Sequence, residues 1–259
     1  MPSFIVFDRV SLACALLPKC GSTTLIALGL ELAGVETDGR SARPVARTRR
    51  ARRRMAEAGV RIVRVESGPG MADHPELAGR TLLAPVRDPV ERFLSGYWNK
   101  TSRLVAQADP RTYRRAKLAQ LRRRPKDWLE VQVLNEELRR RVTIADFVAM
   151  LERLAPRVDA HFRPQTGLMA FERLAFDRVI PLDRLQDELK TLFSDRRVSP
   201  EGLATLTTGH RHNASRRAPP DGWSDDLARR VARVYAEDYA AFAGLGFAPP
   251  APEAGQTAG

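Results

Sequence analysis

Phe4-Ile5-Val6-Phe7 is an unbroken apolar run, followed by the polar pair Asp8-Arg9 and a second apolar stretch from Val10 to Leu17. Two such runs around a short polar break predict two strands joined by a tight turn. The second strand leads into Pro18-Lys19-Cys20-Gly21-Ser22-Thr23-Thr24. Beyond it Leu25, Leu28 and Leu32 fall at helical spacing, and Gly34 marks the stop. The chain therefore opens with a strand–loop–helix unit.

Residues 40–54 carry an arginine run (Arg47, Arg49, Arg50, Arg52, Arg53, Arg54), which reads as a solvated, partly helical segment ending near Gly59. Val60 to Val65 predicts a second core strand, Ser67 to Gly70 a loop, and Thr81 to Val86 a third strand with Pro85 near its end. Asp88-Pro89-Val90-Glu91 is a helix start: Asp88 can cap, Pro89 suits the first helical position, and Glu91 stands three residues after the cap. Helical sequence follows to about residue 155, with a second cap pattern at Thr143 to Asp146. Phe176 to Pro181 predicts a strand, Asp183 to Phe193 a helix, and Trp223 to Phe242 one long final helix stopped by Gly244. Ala248 to Gly259, rich in Ala, Pro and Gly, predicts a disordered tail. Strands alternating with helices define the class: a single α/β domain over residues 1–247, with a central, mainly parallel, P-loop-like sheet flanked by helices.

Composition narrows the chemistry. With 43% hydrophobic and 29% charged residues in 259, the chain is an ordinary globular one, and two cysteines exclude a disulfide scaffold. Cys14 lies in a strand and Cys20 in the following loop; an extended stretch of that length keeps them apart, so both are expected as free thiols. No apolar run approaches the roughly 18 residues of a membrane-spanning helix. The stretch Ser3 to Leu17 is broken by Asp8-Arg9 and has no basic segment before it, so it makes a poor signal peptide and the protein is expected in the cytoplasm. The formal net charge is +12, and lysine occurs only at 19, 100, 117, 126 and 190, so the excess is mostly arginine. Such a surface draws anions, whether nucleotides, phosphates or nucleic acid, without choosing among them.

Two segments make the choice sharper. In Pro18 to Thr24 a glycine and three hydroxyl residues stand between a strand and a helix. Open backbone donors and the helix dipole suit a phosphate there, with Lys19 as a point charge and Ser22, Thr23 and Thr24 as side-chain donors. The lysine precedes the glycine, whereas a G-x-x-x-x-G-K-[ST] loop has it after, which argues against a magnesium-dependent ATPase or kinase of the usual type. The second segment is Val86-Arg87-Asp88-Pro89-Val90-Glu91-Arg92-Phe93-Leu94-Ser95-Gly96-Tyr97. Arg87 leaves the end of a strand and Ser95 lies on the following helix, so both can address one phosphate, the arginine through a charged fork. Phe93, Tyr97 and Trp98 either flank a base or pack as core.

As a pair these segments resemble the sulfotransferase superfamily. The first is similar to its loop for the 5′-phosphosulfate of 3′-phosphoadenosine 5′-phosphosulfate (PAPS), the second to its segment for the 3′-phosphate. The opening hairpin, the run His161-Phe162-Arg163-Pro164-Gln165, the stretch Phe176 to Leu185, and the end from His210 through Tyr235, Asp238, Tyr239 and Phe242 to Gly246-Phe247 resemble carbohydrate sulfotransferase family 2. The resemblance implies transfer of a sulfonate group from PAPS to an acceptor hydroxyl, that of a carbohydrate in that family, with 3′-phosphoadenosine 5′-phosphate (PAP) as product and no metal. It places Lys19, Cys20, Gly21, Ser22, Thr23, Thr24, Arg87 and Ser95 at the nucleotide, with Arg216 or Arg217 from a late basic loop.

The acceptor hydroxyl needs a general base. Glu66, at the end of the second core strand, is the favoured candidate; Val65-Glu66-Ser67-Gly68-Pro69 resembles the pattern of members that use glutamate. His74 and His161 are the rivals, and with Gln165 they are expected at the acceptor. The plain alternatives are a Glu66 paired with Arg64 or Arg61 and a His161 that caps local structure. Two other functions stay open at this point: a P-loop-like phosphotransferase, and a non-catalytic anion- or nucleic-acid-binding protein. The paired phosphate motifs favour a nucleotide co-substrate over nucleic acid, and no integral membrane segment is expected.

Overall fold

The structure is a computed structural model that describes residues 1–37, 40–106, 143–154, 160–195 and 218–251, the side chains of 100–106, 154 and 195 excepted. The described residues group into two compact units: residues 1–88 with 165–215, and residues 89–164 with 216–259.

In the first unit the opening apolar runs pair as expected. β1 (Ser3–Phe7) and β2 (Leu12–Ala15) are antiparallel, with Phe4 opposite Ala15 and Phe7 opposite Leu12. Their connection is a 3-10 turn over Asp8–Val10 followed by Ser11 in left-handed conformation, so β2 is shorter at both ends than the apolar pattern. β1 is also antiparallel to β3 (Val60–Arg64), while β2 is parallel to β4 (Thr81–Val86) and β4 to β5 (Arg178–Pro181). The sheet order is β3-β1-β2-β4-β5. The class is α/β as expected, but the sheet is mixed, with antiparallel pairing on one side and parallel on the other.

Position in the sheet follows from side-chain pattern. Phe4, Ile5, Val6, Leu12, Ala13, Cys14, Leu83 and Ala84 are wholly buried, as continuous apolar strands covered on both faces must be. β3, expected as a core strand, is an edge strand instead. Of its Val-Arg-Ile-Val-Arg sequence only Val60 is buried, Ile62 and Arg64 are exposed, and charged side chains suit an unpaired edge. Pro85 lies past Leu83, the last β4 residue paired with β2, so its missing N–H leaves no gap in that ladder.

α1 (Ser22–Leu32) ends as the sequence predicts: Gly34 takes φ +61°, and Val35 N donates to Leu30 O. The arginine run forms α2 (Ala42–Ala46) and α3 (Arg49–Glu57), the latter capped by Thr48, whose hydroxyl accepts from Ala51 N. α1, α2 and α3 share one core with the sheet, built from Ile5, Phe7, Leu25, Leu28, Leu30, Val45, Met55 and Phe193 among others.

In the second unit α4 (Pro89–Ala106) begins at the predicted proline. α5 (Ile144–Leu154) is capped by Thr143, whose hydroxyl accepts from Asp146 N while the Asp146 carboxylate accepts from Thr143 N. In the first unit, α6 is Gln165–Met169 and α7 is Leu185–Asp195. The expected single final helix is two, α8 (Asp225–Val234) and α9 (Ala236–Ala241), broken at Tyr235. No Gly or Pro marks the break; the Tyr235 side chain is 1% exposed and its hydroxyl donates to Phe162 O at 2.7 Å. Gly246, with φ +81°, takes the left-handed conformation after the short 3-10 turn Ala243–Leu245, a role expected of Gly244. Phe93, Tyr97, Phe147, Phe162, Leu227, Val231 and Tyr235 form this unit's core. Phe93 and Tyr97 therefore pack as core, with Trp98 against Tyr97.

Candidate active site

The loop after β2 is shaped by its first residues. Cys20 N donates to Leu17 O, Pro18 supplies a fixed φ, and Lys19 takes φ +69°. That is the pattern of a type II turn, whose third position ordinarily belongs to Gly or Asn. A lysine there is backbone strain at a charged, half-buried residue. Gly21 follows with φ +79°, and a Cβ on it would lie 2.8 Å from Leu182 Cδ1 and 2.8 Å from Leu185 Cδ2. Only glycine meets both conditions, the conformation and the close approach.

The first α1 hydrogen bond runs from Leu25 N to Gly21 O. The amides of Ser22, Thr23 and Thr24 precede the helical ladder and have no acceptor within it. The first turn holds no acidic side chain, so these donors and the helix dipole present a positive end. Ser22 is 4% exposed and Thr23 and Thr24 are half-buried.

β2 and β4 run parallel, so the loop after Ala15 and Arg87 after Val86 leave the sheet at the same edge. In open α/β sheets ligands bind outside the carboxyl ends of the strands. Gln165, wholly buried, joins the two segments. Its Oε1 accepts from Cys20 Sγ at 3.1 Å and from Arg87 N at 3.0 Å, and its Nε2 donates to Arg87 O at 2.9 Å. This clamp is a feature the sequence reading missed: Gln165 was expected at the acceptor, and its amide instead faces the backbone of Arg87 and the Cys20 thiol. Cys14 and Cys20 form no disulfide, as expected, and both are buried; burial pushes the Cys14 thiol up and keeps it protonated.

Glu66 stands just past β3, which runs in the same direction as β2, so it leaves the sheet at that edge too. It is exposed. Arg61, one of its expected partners, is engaged by Asp8 and Glu76 instead. His74 is half-buried, and its Nδ1 accepts from Glu76 N at 3.2 Å within a local turn.

The remaining candidates belong to the second unit or lie outside the described residues. Ser95 is 7% exposed on α4. His161 is half-buried in a segment pinned from both sides. Arg92, 1% exposed, donates to Arg163 O at 2.8 Å and to Ala160 O at 3.0 Å, and Tyr235 holds Phe162 O. Gly96 admits the Phe162 ring, which a Cβ would meet at 2.9 Å. Arg92 is a second feature the sequence reading missed; its only sequence signal is a charge four residues before Gly96, on a face that is otherwise buried. Arg216 and Arg217 lie outside the described residues. Among the described residues no helix is long and apolar enough to cross a membrane, and no three His, Cys, Asp or Glu side chains cluster as metal ligands do.

A strained cationic turn, a helix N-terminus with open amides, and the clamped backbone of Arg87 lie at one edge of an α/β sheet, an arrangement suited to an anion. The comparison with protein families gives the family. The family model described as "Sulfotransferase family" matches residues 2–243, and the chain belongs to that family. It is a transferase of sulfonate groups. No curated protein and no solved structure matches the chain significantly.

Proposed function

We propose that the protein transfers the sulfonate group of PAPS to a hydroxyl of a carbohydrate. The observation that carries this reading is the Gln165 clamp, which fixes the Lys19 loop and Arg87 at one edge of the sheet. Two phosphate-binding elements held by one buried amide suit a ligand with a phosphate at each end, as PAPS has. PAPS supplies the sulfonate on a phosphate leaving group.

The chain's own residues do the rest. The amides of Ser22 to Thr24 bind the 5′ end and Arg87 the 3′-phosphate. Lys19 stabilises the charge that gathers on the leaving phosphate oxygen, a contribution realised mainly in the transition state. Glu66 accepts the proton of the acceptor hydroxyl. Its exposure leaves a large acceptor room to approach, which supports a carbohydrate chain rather than an enclosed small molecule.

The test is calorimetric titration with PAP, followed by an acceptor screen with labelled PAPS. PAP binding and transfer to a glycan are the expected results; dependence on ATP and magnesium instead would replace the reading with a phosphotransferase. Glu66→Gln keeps the shape and removes the basic site. It should lower turnover about 10²- to 10⁴-fold with PAP affinity unchanged. Full turnover in Glu66→Gln, with loss in His74→Ala or His161→Ala, would move the base to that histidine.

A further inference from the structure

Arg43 is part of the arginine-rich segment that follows α1, and the sequence offers no reason to separate it from its neighbours. The fold does. α2 buries Ala42, Val45 and Ala46 in the core it shares with α1, and this turns Arg43 back toward the start of α1. Its Nη2 donates to Ser22 Oγ at 2.7 Å.

This hydrogen bond decides what the Ser22 hydroxyl can do. A hydroxyl has one proton to donate and two lone pairs, whereas a guanidinium only donates. Ser22 Oγ therefore accepts from Arg43, and its own proton points elsewhere. Ser22 is 4% exposed, and among the described residues nothing accepts that proton. A buried, unsatisfied hydroxyl proton is costly unless an acceptor arrives. It stands beside the open amides of α1, so the acceptor it suits is an anionic oxygen.

Arg43 itself calls for the same charge. Its guanidinium is half-buried, and among the described residues no carboxylate pairs with it. Burial, and secondarily the charge of Arg47, hold it below its ordinary value, as expected of a cation that has lost water without gaining an anion.

We propose that Arg43 is a positioning residue of the donor loop: it orients the Ser22 hydroxyl toward the 5′-phosphosulfate end of the donor and adds its positive charge behind that hydrogen bond. The proposal rests on the reading of Pro18 to Thr24 as the donor loop. It adds a residue from a different helix, one that matches no phosphate motif.

The test is PAP affinity in the full chain for wild type, Arg43→Ala, Arg43→Lys, Ser22→Ala and the Arg43→Ala/Ser22→Ala double variant, with thermal unfolding of each. Arg43→Ala should weaken PAP roughly tenfold, in line with loss of a charge-assisted bond. Arg43→Lys, still a cationic donor, should recover most of that affinity. The double variant should lose little beyond Arg43→Ala alone, because that substitution already removes both the orientation of the Ser22 hydroxyl and the charge behind it. Should Arg43→Ala fail to fold, Arg43→Gln keeps the length and a donor without the charge and is expected to show the same weakening. Wild-type PAP affinity in the folded Arg43 variants, or losses that simply add in the double variant, overturns the proposal and leaves the donor loop standing. A wild-type protein that does not bind PAP overturns the donor-loop reading itself, and the role of Arg43 with it.

Discussion

Lys19 holds a backbone conformation that its side chain disfavours. A left-handed φ costs an L-residue roughly 1–2 kcal/mol, and at φ +69° Lys19 is one of three such non-glycine residues among those described. The neighbouring left-handed position belongs to Gly21, where no side chain fits. Strain retained at a cation beside open helix amides fits a residue kept for its charge. Lys19→Gly and Lys19→Ala separate the two effects. Both should lose about 10²- to 10³-fold in turnover, as for removal of one donor to a developing oxyanion. Lys19→Gly should also be the more stable of the two in urea unfolding, because glycine adopts this φ without penalty. Turnover within a few-fold of wild type in either would remove Lys19 from the transition state.

Among the elements, α6 has the largest role for its length. It is one short turn, yet its first residue links the loop after β2 to the end of β4. The amide is suited to this because it both accepts from and donates to the Arg87 backbone. Gln165→Glu tests the point through pH. An ionised glutamate can still accept from Arg87 N, but it opposes Arg87 O and is buried, and both effects raise its folded-state pKa above the ordinary value of about 4.3. A carboxyl with a raised folded pKa leaves stability intact at low pH, where it is protonated and can donate, and loses it as pH rises. The stability gap between wild type and Gln165→Glu, read by urea unfolding, should therefore widen from pH 5 to pH 8. An equal gap at both values would mean that the donated bond to Arg87 O contributes nothing.

At the scale of the whole molecule, polar ties between elements distant in sequence hold the first unit in register. Asp8, in the turn after β1, receives Arg61 of β3 through two hydrogen bonds, at 3.1 and 3.0 Å, and Arg80, just before β4, at 2.7 Å. The hydrogen bond from Arg61 is the main cause holding the Asp8 carboxyl below the usual range; partial burial opposes it, and the charges of Arg61 and Arg80 add to it. A depressed carboxyl contributes stability above its unfolded value, near 3.9, and loses it as pH falls through the lower folded value. Asp8→Asn should thus be less stable than wild type at pH 7 by about 1 kcal/mol, a solvent-screened magnitude for a partly exposed network. The difference should shrink when denaturation is repeated below pH 3.5, and a difference that persists there would trace to packing rather than charge.

The sequence by itself determined whatever depends on near neighbours. The opening hairpin, the extent of β4, the start of α4 at Pro89, the cap at Thr143 and the glycine stop of α1 follow from spacing, turn chemistry and caps, which act over a few residues. The segments Pro18 to Thr24 and Val86 to Tyr97 stand out in the sequence for the same reason, because the turn of the first and the helix start of the second are local arrangements. Only the tertiary structure decided which segments meet. It made β3 an edge strand antiparallel to β1, since a short apolar run shows that a strand forms but not beside which neighbour it lies. It broke the final helix at Tyr235, where a buried hydroxyl reaches the carbonyl of Phe162 across 73 positions. Gln165 meets Cys20 across 145 positions and Arg87 across 78, and Arg43 meets Ser22 across 21. A hydrogen bond between distant residues leaves no periodicity behind it, because its partners are brought together by the packing of elements whose own patterns are set by burial.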